Sequence, residues 1–378
     1  MIPLSSPNIS GNEWTYIKDC LDTGWVSSAG AYVGKMEEDV ARFTGSPFAV
    51  ATSNGTTALH ISLLLAGVRA GDLVLSPDIT FVAPVNSIKY LGADPVLIDS
   101  DPQTWQMDLK ILDSFLSGET ETSSRGCYHL SSGKRIGAIL PVHVLGGLCD
   151  MDLLMEISGR HGIPVVEDAT EALGSRYREK HAGTFGLLGC FSFNGNKIIT
   201  TGGGGMVVTA DPNLAKRCKH LTTQAKSGTG EYFHDEVGYN YRMVNLLAAM
   251  GVAQMEQLAA FLKRKEEIAL KYDEAFSGIQ EIRFQQHVPG SAPNHWLYTI
   301  QVPRLRDLMQ YLEERGIECR PLWVPMHRLP AFRDALFLTR QHHCDQLYDH
   351  CISLPCSTHL TETQQEEVIS NLIRFYRG

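Results

Sequence analysis

Six short apolar runs, separated by helix-compatible sequence, constrain this chain more than any other feature. They are Phe48–Thr52, Leu73–Leu75, Pro95–Ile98, Ile136–Leu140, Ile163–Val166 and Met206–Thr209. A strand covered on one face alternates apolar and polar residues, whereas a strand covered on both faces reads as a continuous apolar run. The pattern therefore predicts an α/β fold, with a mostly parallel sheet between two layers of helices. Ser10-Gly11-Asn12-Glu13 has the Ser-x-x-Glu form of a capping box and predicts a first helix to about Leu21. Ala58 to Ala66 reads as an apolar helix following a turn at 53–57. After about residue 250 the texture changes. Met255, Leu258, Leu262, Ala269, Tyr272 and Phe276 fall on one face of a long charged helix. It leads to a smaller unit, in which Trp296–Val302 reads as a strand and Leu305–Glu314 as a helix. A length of 378 residues suits two domains, divided here as 1–255 and 256–378.

Composition narrows the function. Net charge is −9, which speaks against a general nucleic-acid binder. No apolar run reaches the roughly 18 residues of a membrane span. The first residues lack the basic-then-apolar order of a signal peptide. Nine scattered cysteines suit reduced thiols in a cytoplasm. Neither Gly-x-x-x-x-Gly-Lys-Ser/Thr nor a strand followed by Gly-x-Gly-x-x-Gly is present. His342, His343, Cys344, His350 and Cys351 form a local cluster, but their spacing matches no standard zinc motif, and no metal is expected.

The chemistry concentrates around Lys197. It lies in Phe191-Ser192-Phe193-Asn194-Gly195-Asn196-Lys197, ahead of Gly202 to Gly205, and is the only charged residue between Lys180 and Asp211. A solvated loop is seldom so poor in charge. An amine held on turned backbone at a strand end can form a Schiff base with a carbonyl. Pyridoxal 5′-phosphate (PLP) is the obvious carbonyl, and it needs an acid at its ring nitrogen. Asp168, at the end of the Ile163–Val166 run, is placed for that, or as the N-cap of a helix over Ala169–Leu173. Glu171, one turn on, either reaches the cofactor's phenolic oxygen or faces solvent. Asn54-Gly55-Thr56-Thr57 opens a helix after a strand, which suits a phosphate or is a plain capping turn. Ser192 could add a hydroxyl to the phosphate. Phe81 could stack on a ring or belong to the core.

These residues together resemble the PLP-dependent nucleotide-sugar aminotransferases of the DegT/StrS type, nearly end to end. Ile2-Pro3-Leu4 and Gly24-Trp25-Val26-Ser27-Ser28 resemble the family's opening, and Asn54-Gly55-Thr56-Thr57-Ala58-Leu59 its phosphate loop. Glu167-Asp168-Ala169 with Gly174-Ser175 resembles its pyridine-binding segment. Ser192-Phe193 to Lys197, with Thr200-Thr201-Gly202, resembles its Schiff-base segment. Gly238 to Met243, Arg320-Pro321-Leu322-Trp323 and Ser353-Leu354-Pro355 resemble later signatures. The resemblance implies an aspartate aminotransferase-like fold (fold type I), with a large α/β domain, a small α/β domain and an obligate homodimer with shared sites. It implies Lys197 on the aldehyde, Asp168 on the pyridine nitrogen and Phe81 on the ring face. Thr56, Thr57 and Ser192 would hold the phosphate, with Asn240 from the other protomer. Trp25, Arg242 and His327 are candidates for the substrate side, Arg242 equally for a structural ion pair. Asn194-Gly195-Asn196 replaces a common His-Pro pair, and Gly203 a common glutamate. Both variants resemble the subgroup acting on UDP-linked 2-acetamido-4-keto-6-deoxy sugars with L-glutamate as donor. A GDP- or dTDP-linked 3- or 4-keto sugar is the alternative acceptor, and a non-catalytic PLP-binding regulator the alternative class. Glu171 stands where relatives have glutamine or histidine, so a contact with the phenolic oxygen needs a proton on one partner.

Overall fold

A computed structural model describes residues 1–228 and 231–377. The apolar runs become the strands Phe48–Thr52, Leu73–Pro77, Asp94–Ile98, Ile136–Ile139, Val166–Asp168 and Gly205–Thr209, and Leu188–Ser192 adds another. Two four-stranded sheets meet through parallel bridges at Ile139–Val165 and Val142–Asp168. The order across the joined sheet is 336–338, 94–98, 73–77, 136–139, 166–168, 188–192, 205–209, 48–52. Every neighbouring pair is parallel except those of Gly205–Thr209, which is antiparallel to both its neighbours. The central strands are buried throughout, as continuous apolar runs require. Parallel strands also send their carboxyl ends to one edge, where ligands of open α/β sheets sit.

The large sheet carries a core on each face, the larger of them the first core of the molecule, and a second core gathers Ile268, Tyr272, Phe276, Ile300, Leu308, Ile352 and Val368 with Ile2. The helix Asn245–Phe276 serves the first and the second. Its Ala248, Val252, Leu258 and Phe261 face the first core, and its Ile268, Ala269, Tyr272 and Phe276 the second. The second core packs on the antiparallel sheet 283–284, 298–301, 351–354, 320–321. The chain then sends Leu336–Leu338 back to the edge of the large sheet beside Asp94–Ile98. No helix among the described residues is long and apolar enough to cross a membrane.

Two local readings fail. The Ser10/Glu13 capping box does not form. Ser10 bonds Gln257, and Glu13 is buried against Gln254, so tertiary partners displace the local cap. Ala169–Leu173 is not a helix but a pair of turns, closed by Ala172 N–H to Ala169 O and Ser175 N–H to Ala172 O, both 2.9 Å. The histidine/cysteine run, at which no metal is expected, spreads over the helix His343–His350 and the residues flanking it. Of it, among the described residues, only Cys344 joins a close group of possible ligands, with Asp78 and His327.

Candidate active site

A cavity of about 630 Å³ opens at the carboxyl edge of the sheet. The strand Val166–Asp168 shows how alternation builds its floor. Successive side chains on a strand point to opposite faces, so the two neighbouring carboxylates part. Glu167 turns away and accepts N–H bonds from Gly183 (2.8 Å), Phe185 (2.6 Å) and Gly186 (2.6 Å), and pairs with His143 Nε2 at 2.9 Å. Asp168 faces the cavity and accepts the Thr170 N–H at 3.0 Å. Its burial pushes its carboxyl above the usual range, while the Thr170 bonds, Lys197 and His143 pull it back.

Lys197 lies opposite, on a turn closed by its own N–H to Asn194 O at 3.0 Å. Its Nζ stands 3.7 Å from Glu171 Oε1 and 3.9 Å from the centroid of the Trp296 ring. Burial lowers its pKa, against the pull of Glu171 and Asp168. Burial raises the Glu171 carboxyl to about 7, against the Lys197 charge and the Leu145 N–H. That N–H reaches Glu171 Oε2 at 2.8 Å, and Leu145 itself adopts φ 60°, a conformation strained for a non-glycine residue. Trp296 is held in turn. Its Nε1–H bonds Asn196 O at 2.6 Å and its ring lies 10° from that of Trp323 at 6.4 Å.

The helix Gly55–Leu65 points its amino end into the same cavity. Asn54 accepts the Thr57 N–H at 2.8 Å and Thr57 Oγ1 accepts the Asn54 N–H at 3.2 Å, a complete capping box. Gly55 and Thr56, the first residues of the helix, line the cavity. A Cβ on Gly55 would lie 2.8 Å from Ser192 Cβ and 3.2 Å from Thr170 Cγ2, so glycine lets the helix start this close to the Ser192 hydroxyl. Free amides, the helix dipole and nearby hydroxyls suit a phosphate.

The structure thus brings Lys197, Asp168, Glu171, Ser192, Thr56 and Phe81 to one cavity. Phe81 stands at the N-cap of the helix Val82–Tyr90 and is half exposed, so it lies outside the core. Other expected site residues lie elsewhere in the chain. Thr57 does not line the cavity, because its hydroxyl is tied into the cap. Trp25 is exposed on another face, beside Tyr32 and Asn245. Arg242 is buried in an ion pair with Glu37, the structural role that its sequence equally allowed. His327 Nδ1 pairs with the buried Asp78 at 2.7 Å, behind the wall. Asn240 is exposed and bridges to Thr223, away from this cavity. Sequence reasoning missed Leu145 and the role of Trp296, which no local signal marks.

The residues present fit PLP. A buried amine suits its aldehyde, a buried carboxylate its protonated ring nitrogen, and the Gly55–Ser192 cradle its phosphate. Fold and site together define a PLP enzyme of fold type I. The chain belongs to the DegT/DnrJ/EryC1/StrS aminotransferase family, whose model matches residues 7–373. It is 37% identical over 380 residues to GDP-perosamine synthase of Escherichia coli O157:H7, covering 99% of this chain and 98% of that one. It is 36% identical over 381 residues to GDP-perosamine synthase of Caulobacter vibrioides, covering 98% and 97%. The crystal structure of DesV from S. venezuelae superimposes with a TM-score of 0.87 at 28% identity, covering 97% of this chain and 95% of that one. The protein is a PLP-dependent sugar aminotransferase.

Proposed function

We propose that the protein moves the amino group of L-glutamate to the ketone of a nucleotide-linked 4-keto-6-deoxy sugar, with GDP as the nucleotide. One observation supports GDP: two relatives matching nearly the whole chain are named GDP-perosamine synthase. The expectation of a UDP-linked acceptor rested on the resemblance of Asn194-Gly195-Asn196 and Gly203 alone, and the names of these relatives favour the alternative acceptor over it.

When bound, PLP supplies an electron-withdrawing ring that stabilises negative charge on the carbon carrying the amine. Lys197 would hold its aldehyde, Asp168 its ring-nitrogen proton, and Gly55, Thr56 and Ser192 its phosphate. Burial favours the neutral Lys197 amine, which suits it to accept and return the proton that a transamination moves. Glu171, with its carboxyl near 7, can hold a proton beside that amine at neutral pH. The same reading takes the working unit as a homodimer, in which Asn240 of each copy serves the other's cavity. Its exposure, and its absence from the lining of its own cavity, accord with this.

The test is a panel of GDP-, UDP- and dTDP-linked 4-keto-6-deoxy sugars, each with L-glutamate, read by mass spectrometry for the amino sugar. The GDP-linked ketone should be aminated fastest. A preference for UDP or dTDP would overturn the nucleotide and leave the aminotransferase standing.

A further inference from the structure

A transamination frees the Lys197 amine from the cofactor's aldehyde and then requires it to carry a proton. That amine rides on a flexible four-carbon stem, so something must keep it near the reacting carbon. Burial works against it as well, because withdrawal from water disfavours the charged form. One side chain meets both needs. The Lys197 Nζ lies 3.9 Å from the centroid of the Trp296 ring, inside the roughly 6 Å at which a ring face attracts a cation.

We propose that Trp296 is the seat of the freed Lys197 amine, and that its ring face favours the charged form of that amine; this rests on the reading of Lys197 as the Schiff-base lysine. The ring is built into its place. Its Nε1–H bonds the carbonyl of Asn196 at 2.6 Å, the residue directly before Lys197. One side chain therefore holds the lysine at both ends, the peptide at its root and the amine at its tip. The backbone of Trp296 is anchored twice more. Its N–H bonds Asn294 Oδ1 at 2.9 Å, and its carbonyl accepts from Lys265 Nζ at 2.8 Å, a lysine buried on the helix Asn245–Phe276. Asn294 also donates through Nδ2 to the carbonyls of Glu171, at 2.8 Å, and Leu173, at 2.9 Å. It thereby ties the ring beneath the amine to the backbone of the carboxylate beside it. The two partners of the amine act differently. Glu171, 3.7 Å away, can take the proton or hold it in an ion pair. The ring attracts the ammonium without a full charge and without accepting its proton, so the amine stays able to give that proton up.

The test reads the amine itself, in the full chain freed of cofactor. Acetic anhydride labels only the neutral amine, so the labelling rate at Lys197, followed across pH by peptide mass spectrometry, gives the midpoint of its titration. The titratable groups that bear on it are Glu171 and Asp168. Both are kept in every variant, so a difference reports the ring. Trp296→Leu should lower the midpoint by about one pH unit, a tenfold loss of proton affinity. Fluorinated tryptophans at position 296 keep the shape and the N–H while draining charge from the ring face. With them the midpoint should fall stepwise with each added fluorine, and this series decides alone if Trp296→Leu does not fold. A midpoint that rises in Trp296→Leu would mean that the ring acts by excluding water, and would overturn the proposal. So would a midpoint indifferent to fluorination. Borohydride that fixes the cofactor of the wild-type enzyme to a lysine other than 197 would instead refute the reading of Lys197 itself.

Discussion

At the scale of single residues, the site is governed by how deeply its charges are buried. The Glu171 carboxyl is raised to about 7 from an ordinary 4.5. The folded state therefore binds this proton more tightly than the unfolded chain. The contribution to stability is full below about pH 4.5 and is lost as pH rises through about 7. The apoenzyme's melting temperature should fall across that window, and Glu171→Gln should flatten the fall. An unchanged slope would show that Glu171 titrates normally. Lys197→Ala should abolish borohydride trapping of the cofactor and the yellow absorbance, with the melting curve of the apoenzyme retained. Labelling of another lysine in the wild type would move the Schiff base elsewhere. These two residues differ in how far sequence could place them. Lys197 stands alone in a charge-poor segment between aromatics and glycines, and that local oddity marked it. Trp296 beneath its amine is about a hundred positions away and reads as an ordinary strand aromatic. Leu145 is marked by nothing, because the carboxylate that its N–H meets is brought near only by the fold.

At the scale of elements, Glu167 deserves comparison with its neighbour. It fastens the turn at 183–186 through three N–H groups and pairs with His143, all out of sight of the cavity. Glu167→Ala would leave those buried donors without an acceptor and should lower stability by about 3 kcal/mol or more in urea titration. A loss below about 1 kcal/mol would mean that water enters and replaces the carboxylate. The strands were legible because burial on both faces writes a continuous apolar run. The caps were less so. Ser10-x-x-Glu13 has the right letters, but Gln254 and Gln257 of a distant helix claim its side chains. Asn54-x-x-Thr57 lacks the acidic residue of the usual pattern, yet it forms the complete box. Capping is a contest between near and far partners, and sequence shows only the near ones.

At the scale of the whole molecule, the proposed sharing of sites makes a sharp prediction. If Asn240 serves the neighbouring cavity, Lys197→Ala and Asn240→Ala are each weak as homodimers. In a mixed dimer one site carries both lesions and the other neither, by the two-fold symmetry of such an interface. Mixing the two under exchange conditions should restore up to about half the activity of a wild-type dimer. No recovery, with exchange verified by mass tagging, would place Asn240 outside the partner's site. A different consequence follows from the packing of Ile2 in the second core and the bond from Leu4 to Glu318, 314 positions apart. Proteins are made from the amino end, and a domain generally folds as a unit during synthesis. The strands from Phe48–Thr52 to Gly205–Thr209 can assemble while the ribosome is still at work. The second core cannot close, because its earliest members must wait for its last. Until then Ile2 and Leu4 have no place to go, and the wall bearing Glu318 does not exist. The wall that Glu318 and Leu4 close together is therefore complete only once both ends of this span have been made and packed.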